Sequence, residues 1–132
     1  MHSHALRVYY EDTDLAGIVY YANYLKFIER GRSEWVRALG VDQLHLRDVA
    51  GLVFAVRRLE ADYLSPAKFD DELVVVTEVT AITGARIHLA QTVLRGAERL
   101  FEAQVTLVCL TQSGTPTRLP AEIRERMRPA RE

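Results

Sequence analysis

The sequence has one cysteine, Cys109, among its 132 residues, so no disulfide bond can form within the chain. It also lacks any apolar run near the roughly 20 residues that a membrane-spanning helix requires, and its N-terminal segment, MHSHALRVYY, has no apolar signal-peptide core. With 17 basic and 18 acidic residues the formal net charge is -1, which leaves no basic excess to bind nucleic acid. These absences predict a cytoplasmic protein, in a reducing compartment, that neither spans a membrane nor binds nucleic acid.

Several signatures of covalent, nucleotide and metal chemistry are missing as well. The chain has no G-x-S-x-G nucleophile elbow, no G-x-G-x-x-G motif and no Walker A sequence. Cys109 lies on the apolar face of a predicted strand, which is more typical of a structural thiol than of a nucleophile. His2 and His4 form an H-x-H pair on a terminus that we expect to fray, and no third ligand is close, so no metal site is predicted. His45 and His88 fit surface or core-rim positions.

The composition and the pattern of elements predict a single α+β domain over residues 1–132. Apolar residues make up 48% and charged residues 27%, which is typical of a globular protein. A strand over residues 5–11 and a helix over residues 22–39 are followed by one or two helical turns that begin at Asp42 and end at Gly51. Four strands in antiparallel succession then lead to a short terminal helix, AEIRERMR; the predicted strands span residues 52–64, 71–82, 85–95 and 99–111.

The long helix is identified by apolar side chains at steps of three and four residues. Asn23 is its predicted N-cap, and Gly40 stands where a left-handed residue ends a helix. Gly31 lies on the apolar stripe, which predicts a close approach to another backbone. The stripe consists of Tyr21, Tyr24, Leu25, Ile28, Trp35, Val36 and Leu39, with Arg32 alongside.

The stretch EDTDLAGIVYYANY places three carboxylates directly before this helix. Glu11 and Asp12 end a strand, so they fit a solvated turn or a cap. Asp14 borders the segment LAGIVYY, whose apolar side chains are expected to desolvate the carboxylate and make it a stronger base. Gly17 lets the chain reverse into the helix, whose start offers unpaired N–H groups at its positive end. A base or nucleophile beside such donors forms two halves of an acyl-transfer site.

The same stretch carries a resemblance to a known family. YYEDTDLAGIVYYANYLKFIERGR closely resembles the N-terminal signature of the 4-hydroxybenzoyl-CoA thioesterase family, and most of all its YbgC-type acyl-CoA thioesterases; DYLSPAKFDDELVVVTEV and PTRLPAEI fit later segments. The resemblance implies the hotdog fold, in which a curved antiparallel sheet wraps one long helix. It also implies hydrolysis of acyl-CoA to free acid and coenzyme A with no cofactor, since coenzyme A is part of the substrate.

Residue by residue, the resemblance implies catalytic roles for Asp14, as general base or nucleophile, and for the backbone N–H of Tyr21, as oxyanion donor. YbgC-type members carry histidine where this chain has Tyr21, and benzoyl-CoA-type members carry tyrosine followed by proline where it has Ala22. Scattered arginines are by spacing alone typical of a solvated surface, but two of them match cations that bind CoA phosphates in the family. The substrate-binding residues implied are Gly17, Tyr20, Asn23, Tyr24, Arg86 and Arg118.

Two alternatives compete with the thioesterase. A hotdog dehydratase of hydroxyacyl thioesters needs a histidine paired with an acid, and neither His45 nor His88 falls in the signature. A non-catalytic module that binds acyl-CoA or acyl carrier protein fits an intact Asp14 less well. The resemblance further implies dimers that pair through their sheets, or dimers of such dimers, and the apolar segment LVFAVRR fits a strand that must be covered. The preferred acyl chain, and coenzyme A against carrier protein as donor, stay open.

Overall fold

A five-stranded antiparallel sheet packs against one long helix in the computed structural model, which describes residues 1–129. The predicted domain extends to residue 132, and residues 130–132 lie outside the described part. A 3-10 turn over Tyr10–Asp12 precedes the long helix, and a wide helical turn over Leu46–Ala50 precedes the second strand. The elements are β1 His2–Arg7, α1 Asn23–Ala38, α2 Gln43–His45, β2 Leu52–Tyr63, β3 Glu72–Thr83, β4 Arg86–Arg95, β5 Glu98–Thr111 and α3 Ala121–Met127.

The order of the strands in the sheet is β1-β3-β4-β5-β2, which corrects the predicted succession of four neighbouring strands. β3, β4 and β5 do form a meander. β2 does not pair with β3, because the two edges of β3 are taken by β4 and β1, and it pairs instead with β5 from Leu52↔Thr111 to Tyr63↔Phe101. β2 is therefore an edge strand, and the connection over residues 64–71 carries the chain from it to β3.

The first strand differs from its prediction at both ends. It begins at His2 and pairs with β3 from His2↔Thr77, so the two terminal histidines lie in a sheet rather than on a frayed end. It stops at Arg7, not near residue 11, because Asp12 closes a 3-10 turn that leads the chain away from the sheet. The predicted period of two in β5 is confirmed by its buried residues Phe101, Ala103, Val105, Leu107 and Cys109.

Helix α1 crosses the sheet and buries the face formed by Tyr24, Phe27, Ile28, Gly31, Trp35 and Val36. The predicted stripe was rotated by about one residue: it omitted Phe27, which is fully buried, and included Leu25, which is 38% exposed. Gly40 has the predicted left-handed φ of 78° after the helix. The predicted N-cap was wrong, since Asn23 is already helical and its side-chain amide donates to the Asp12 carbonyl at 2.9 Å.

A polar group in the core ties the helix to the sheet. Gln91 is 1% exposed on β4, and its Nε2 donates to the Ile28 carbonyl and to the Thr77 hydroxyl, both at 2.9 Å. Its Oε1 accepts from Arg32 at 3.0 Å, so the buried amide is satisfied on both sides. Burial lowers the pKa of Arg32, which has no carboxylate partner in an ion pair within residues 1–129.

Within residues 1–129, no helix is both long and apolar enough to cross a membrane.

Candidate active site

The residues from Thr13 to Val19 form a tight reverse turn on the way from the sheet to α1. Thr13 and Val19 face each other in an isolated antiparallel bridge, and the Asp14 N–H donates to the Ile18 carbonyl at 3.0 Å. Gly17 donates to the Asp14 carbonyl at 3.0 Å and has a φ of 78°. That conformation favours glycine, so the predicted role of Gly17 as a turn residue is confirmed.

The carboxylates before the helix differ in their surroundings. Asp12 is 8% exposed; its Oδ2 accepts the Tyr9 N–H at 2.8 Å, and its carbonyl accepts the Tyr20 N–H at 2.9 Å. Asp12 thus caps the turn, as predicted, while Glu11 is exposed to solvent. Asp14 uses its Oδ1 to accept the Ala16 N–H at 2.9 Å, and its Oδ2 has no partner within residues 1–129.

The predicted desolvation of Asp14 by the apolar segment that follows it was wrong. Asp14 is exposed, because the apolar residues that follow it turn outward instead of covering it. Leu15, at the tip of the turn, is 106% exposed. A carboxylate in this position is accessible to water and to a ligand, and any desolvation must come from what binds against the turn.

The start of α1 leaves backbone donors free. The Tyr20 carbonyl accepts the Asn23 N–H at 2.8 Å. Because the C=O and N–H of a trans peptide point in opposite directions, the N–H of Tyr21 points away from the helix. Neither this N–H nor that of Ala22 donates to any acceptor in the described part of the chain. The positive end of the α1 dipole therefore carries donors that can stabilise a negatively charged oxygen.

A cavity of about 360 Å³ opens beside these donors. Its walls include the rings of Tyr21, Tyr24 and Tyr63 and the side chains of Ile18 and Val19, so it is largely apolar. The return arm of the Asp14 turn thus forms one wall and the start of α1 another. An apolar pocket with a few polar groups at its edge is typical of a small-molecule site.

The three residues predicted at the mouth of the site have different positions. Tyr20 is exposed, and its neighbour Tyr21, whose ring centroid is 4.9 Å away, raises the pKa of Tyr20. Tyr24 is buried, which raises its pKa, and its hydroxyl accepts the Ala67 N–H at 2.9 Å. Asn23 holds the Asp12 carbonyl. Of the three, Tyr24 lines the cavity, whereas Tyr20 is exposed beside Tyr21 and Asn23 fixes the turn to the helix.

Arg86 and Arg118 lie near each other in the fold, at the end of the sheet away from Asp14. Arg86 begins β4, and the residue after Arg118 donates its N–H to the Gly84 carbonyl at 3.4 Å. Both arginines are exposed. The Asp14 turn instead contacts the connection from β2 to β3, where the Val19 N–H donates to the Ala67 carbonyl at 2.8 Å. The length of β3, roughly 35–40 Å for its residues, separates the two ends.

Two features near the site were missed by sequence reasoning. Tyr63, the last residue of β2, donates its hydroxyl to the Tyr21 carbonyl at 2.9 Å, and only its place at the end of an alternating strand hinted at an inward side chain. The connection of residues 64–71 is held by Asp71, whose Oδ2 accepts from Arg95 at 2.7 Å and from the Lys68 N–H at 2.8 Å. Burial acts to raise the pKa of Asp71, but these partners outweigh it and lower the pKa.

The histidines and acids do not gather into a further reactive group in the described residues. His88 lies on β4 against the hydroxyls of Thr83 and Thr106, and His45 is exposed on α2. No group of three or more histidine, cysteine or acidic side chains within residues 1–129 is arranged to hold a metal ion. Cys109 is buried, and burial raises the pKa of its thiol, as expected for a structural cysteine.

Comparison with known proteins gives consistent matches over most of the chain. The family model of the thioesterase superfamily matches residues 16–102. An acyl-CoA thioesterase, YbgC, of Haemophilus influenzae is 42% identical over 92% of this chain and 90% of its own length. A solved structure of a probable thioesterase from Bartonella henselae is 40% identical with a TM-score of 0.87, covering 90% of this chain and 98% of that one. A 1,4-dihydroxy-2-naphthoyl-CoA thioesterase from Synechocystis, at 22% identity, shares the fold with a TM-score of 0.88 over 96% of this chain and 94% of its own.

Proposed function

The chain belongs to the thioesterase superfamily, and has its hotdog fold and thioester hydrolase activity; from this premise we propose that it hydrolyses acyl-CoA to a free acid and coenzyme A at the Asp14 turn. The observation that carries the proposal is the Tyr21 N–H at the start of α1, which has no acceptor within residues 1–129 and lies beside a tyrosine-lined cavity. The named activity of the YbgC relatives supports acyl-CoA as the substrate class.

In the proposed reaction the acyl group lies in the cavity and its carbonyl oxygen accepts the Tyr21 N–H. This donor stabilises the negative charge that develops on the oxygen during attack, by about 3 kcal/mol for a single oxyanion donor. Asp14 acts by one of two routes. As a base, it takes a proton from the water that attacks the carbonyl carbon; as a nucleophile, it attacks that carbon itself, and water later hydrolyses the mixed anhydride. In both routes the carbon–sulfur bond breaks, and the sulfur leaves with the electron pair and takes up a proton.

We further propose that the substrate's phosphates are bound by a second copy of the chain. Arg86 and Arg118 lie at the opposite end of the sheet from Asp14, so they do not meet it within one protomer. β2 is an edge strand with a long apolar segment, and its Val56 is 48% exposed. If β2 pairs antiparallel with its copy, the partner's sheet runs in reverse and brings its arginine end to the Asp14 end of the first. Such dimers, or pairs of them, would also cover the edge.

The location and the acyl donor follow as narrower proposals. A free, buried Cys109 fits a reducing compartment, and the cytoplasm supplies coenzyme A thioesters, so we place the enzyme there. Coenzyme A is the donor that the relatives' names support; acyl carrier protein is the second donor to test.

A panel of acyl-CoA and acyl-carrier-protein thioesters, scored by release of free thiol, tests the proposal. The wild type should release thiol, and Asp14→Asn should lower kcat at least about 100-fold because it removes the base or nucleophile. Glu11→Gln, which neutralises an exposed acid three residues away, is the matched control and should keep wild-type rates. A kcat of Asp14→Asn within threefold of the wild-type value would refute the role of Asp14. Binding of an acyl thioester without release of thiol would identify a non-catalytic module. Formation of an enoyl thioester would identify a dehydratase.

A further inference from the structure

The carbonyl of Tyr21 accepts a hydrogen bond from a side chain at the end of the edge strand β2. Tyr63, at the end of β2, donates its hydroxyl to this carbonyl at 2.9 Å across 42 positions of sequence. The helix does not use the same carbonyl, because its first turn is tightened: the Leu25 N–H donates to the Ala22 carbonyl at 3.2 Å. The Tyr63 hydroxyl therefore supplies the hydrogen bond that the helix leaves unmade.

Hydrogen bonds fix the peptide planes on both sides of the Tyr21 α-carbon. The plane before it carries the Tyr21 N–H, and its carbonyl accepts the Asn23 N–H at 2.8 Å. The plane after it is fixed by Tyr63. If the hydrogen bond from Tyr63 is removed, the backbone can rotate about the α-carbon of Tyr21. The direction of the Tyr21 N–H is then restrained by one hydrogen bond instead of two.

The ring of Tyr63 is itself held in place. Its centroid lies 5.1 Å from that of Phe101 and 5.5 Å from that of Tyr24, both in edge-to-face geometry. Phe101 and Tyr24 belong to the buried core, so the hydroxyl is supported by the rigid part of the domain. Burial raises the pKa of Tyr63, so the hydroxyl keeps the proton that it donates.

We infer that Tyr63 is a positioning residue for thioester hydrolysis: its hydroxyl holds the Tyr21–Ala22 peptide and thereby keeps the Tyr21 N–H aimed at the substrate oxygen. This inference rests on the proposed function of Tyr21. It assigns Tyr63 a role that acts through another residue. Tyr63 needs to prevent only a small displacement of the N–H, because moving a catalytic group by about 1 Å can lower the rate about 100-fold.

The test compares Tyr63→Phe with Tyr10→Phe, using the acyl-CoA that the wild type hydrolyses best. Both changes remove one hydroxyl, but the Tyr10 hydroxyl has no partner within residues 1–129 and its ring is 83% exposed. Tyr63→Phe should lower kcat about 10- to 100-fold and leave KM within about twofold, since only the transition state loses an interaction. Tyr10→Phe should match the wild type, and both should unfold at the wild-type temperature within a few degrees.

A second measurement does not depend on turnover. Hydrogen exchange detected by NMR should show the Asn23 and Leu25 amides protected in the wild type and exchanging at least about fivefold faster in Tyr63→Phe, because the helix entry loosens. A kcat of Tyr63→Phe within twofold of wild type, a rise in KM alone, or unprotected amides in the wild type would each overturn the inference. Absence of thiol release by the wild type would refute the proposed function, whereas a fully active Tyr63→Phe refutes only the role of Tyr63.

Discussion

Asp12 and Asp14 stand two residues apart, yet the first carboxylate is buried against the Tyr9 N–H at 2.8 Å and the second is exposed. The difference arises from the turn between them. Asp12 points back to close the 3-10 turn, and its carbonyl receives both the Tyr20 N–H and the Asn23 side chain. One acid therefore shapes the loop, and the other is free for chemistry.

Replacement of Asp12 should affect stability rather than the chemical step. Asp12→Ala removes the acceptor of the Tyr9 N–H and should lower the free energy of unfolding by about 0.5–1.5 kcal/mol, the net contribution of a part-buried hydrogen bond. Urea unfolding followed by circular dichroism measures this. Glu11→Ala, at the exposed neighbouring acid, should change it by less than about 0.5 kcal/mol. Equal effects of the two variants would show that the carboxylate of Asp12 does not hold the turn.

The local signals in the sequence predicted much of this loop. Gly17 and Gly40 adopt the left-handed conformations expected of them, and Asp14 lies on the turn before the long helix. These predictions succeeded because each depends on a few neighbouring residues. The predicted N-cap failed because the partner of Asn23 is the Asp12 carbonyl, eleven positions earlier, which helix-capping rules do not consider.

Relationships between distant segments were beyond sequence patterns. Alternation placed each strand within a few residues, but it carries no information on which strands pair, so the position of β2 beside β5 was missed. The contact of Tyr63 with Tyr21 depends on that pairing. The candidate site residues could be predicted because they are contiguous in sequence, whereas Tyr63, which supports them, lies 42 positions from Tyr21.

Gly31 allows α1 to approach β3, and its replacement by alanine should be destabilising. A Cβ at this position would lie 2.5 Å from Cγ1 of Val75, which is fully buried, so the contact is with a side chain and not with a backbone as predicted. The gain in helix propensity is about 1 kcal/mol, while forcing a methyl group into a packed core costs about 1–3 kcal/mol. We expect Gly31→Ala to lower the free energy of unfolding by up to about 2 kcal/mol.

A double-mutant cycle isolates the cause of that loss. Val75→Ala alone leaves a cavity, but it removes the atom that the new methyl group would strike. The double variant should therefore be more stable than the sum of the two single effects implies, by at least about 0.5 kcal/mol. Strict additivity in denaturant unfolding would contradict a clash with Val75.

Asp71 should make the connection beside the candidate active site sensitive to acid. Its folded pKa lies below the ordinary value of 3.8, so its ion pair with Arg95 stabilises the fold fully above that value. The contribution is lost as the pH falls through the lower folded pKa, because the folded state must then bind a proton that the unfolded state already holds. Wild type should be more stable than Asp71→Asn by a constant margin near neutral pH, and the margin should shrink below about pH 4. Unfolding curves at several pH values measure this difference in the free energy of unfolding. The control is Glu78→Gln, at an exposed acid without an ion pair in residues 1–129, whose difference from wild type should not change with pH in this way.

Shared sites between two copies can be tested by mixing two variants that each impair activity in a different way. Arg118→Ala should raise KM about 10- to 100-fold, since a charge-assisted contact to phosphate contributes about 1.5–3 kcal/mol. Arg47→Ala, at an arginine paired with Asp48, should leave KM unchanged. Suppose that each site combines Asp14 of one chain with Arg118 of its partner. In a hybrid dimer of Asp14→Asn with Arg118→Ala, one site then contains both substitutions, and the other contains neither. Unfolding and refolding an equal mixture should then restore roughly a quarter of the wild-type sites, because half of the dimers are hybrids with one intact site each. If Arg118 serves the Asp14 of its own chain, every site in the mixture keeps a defect, and activity at low substrate stays at the mean of the two variants.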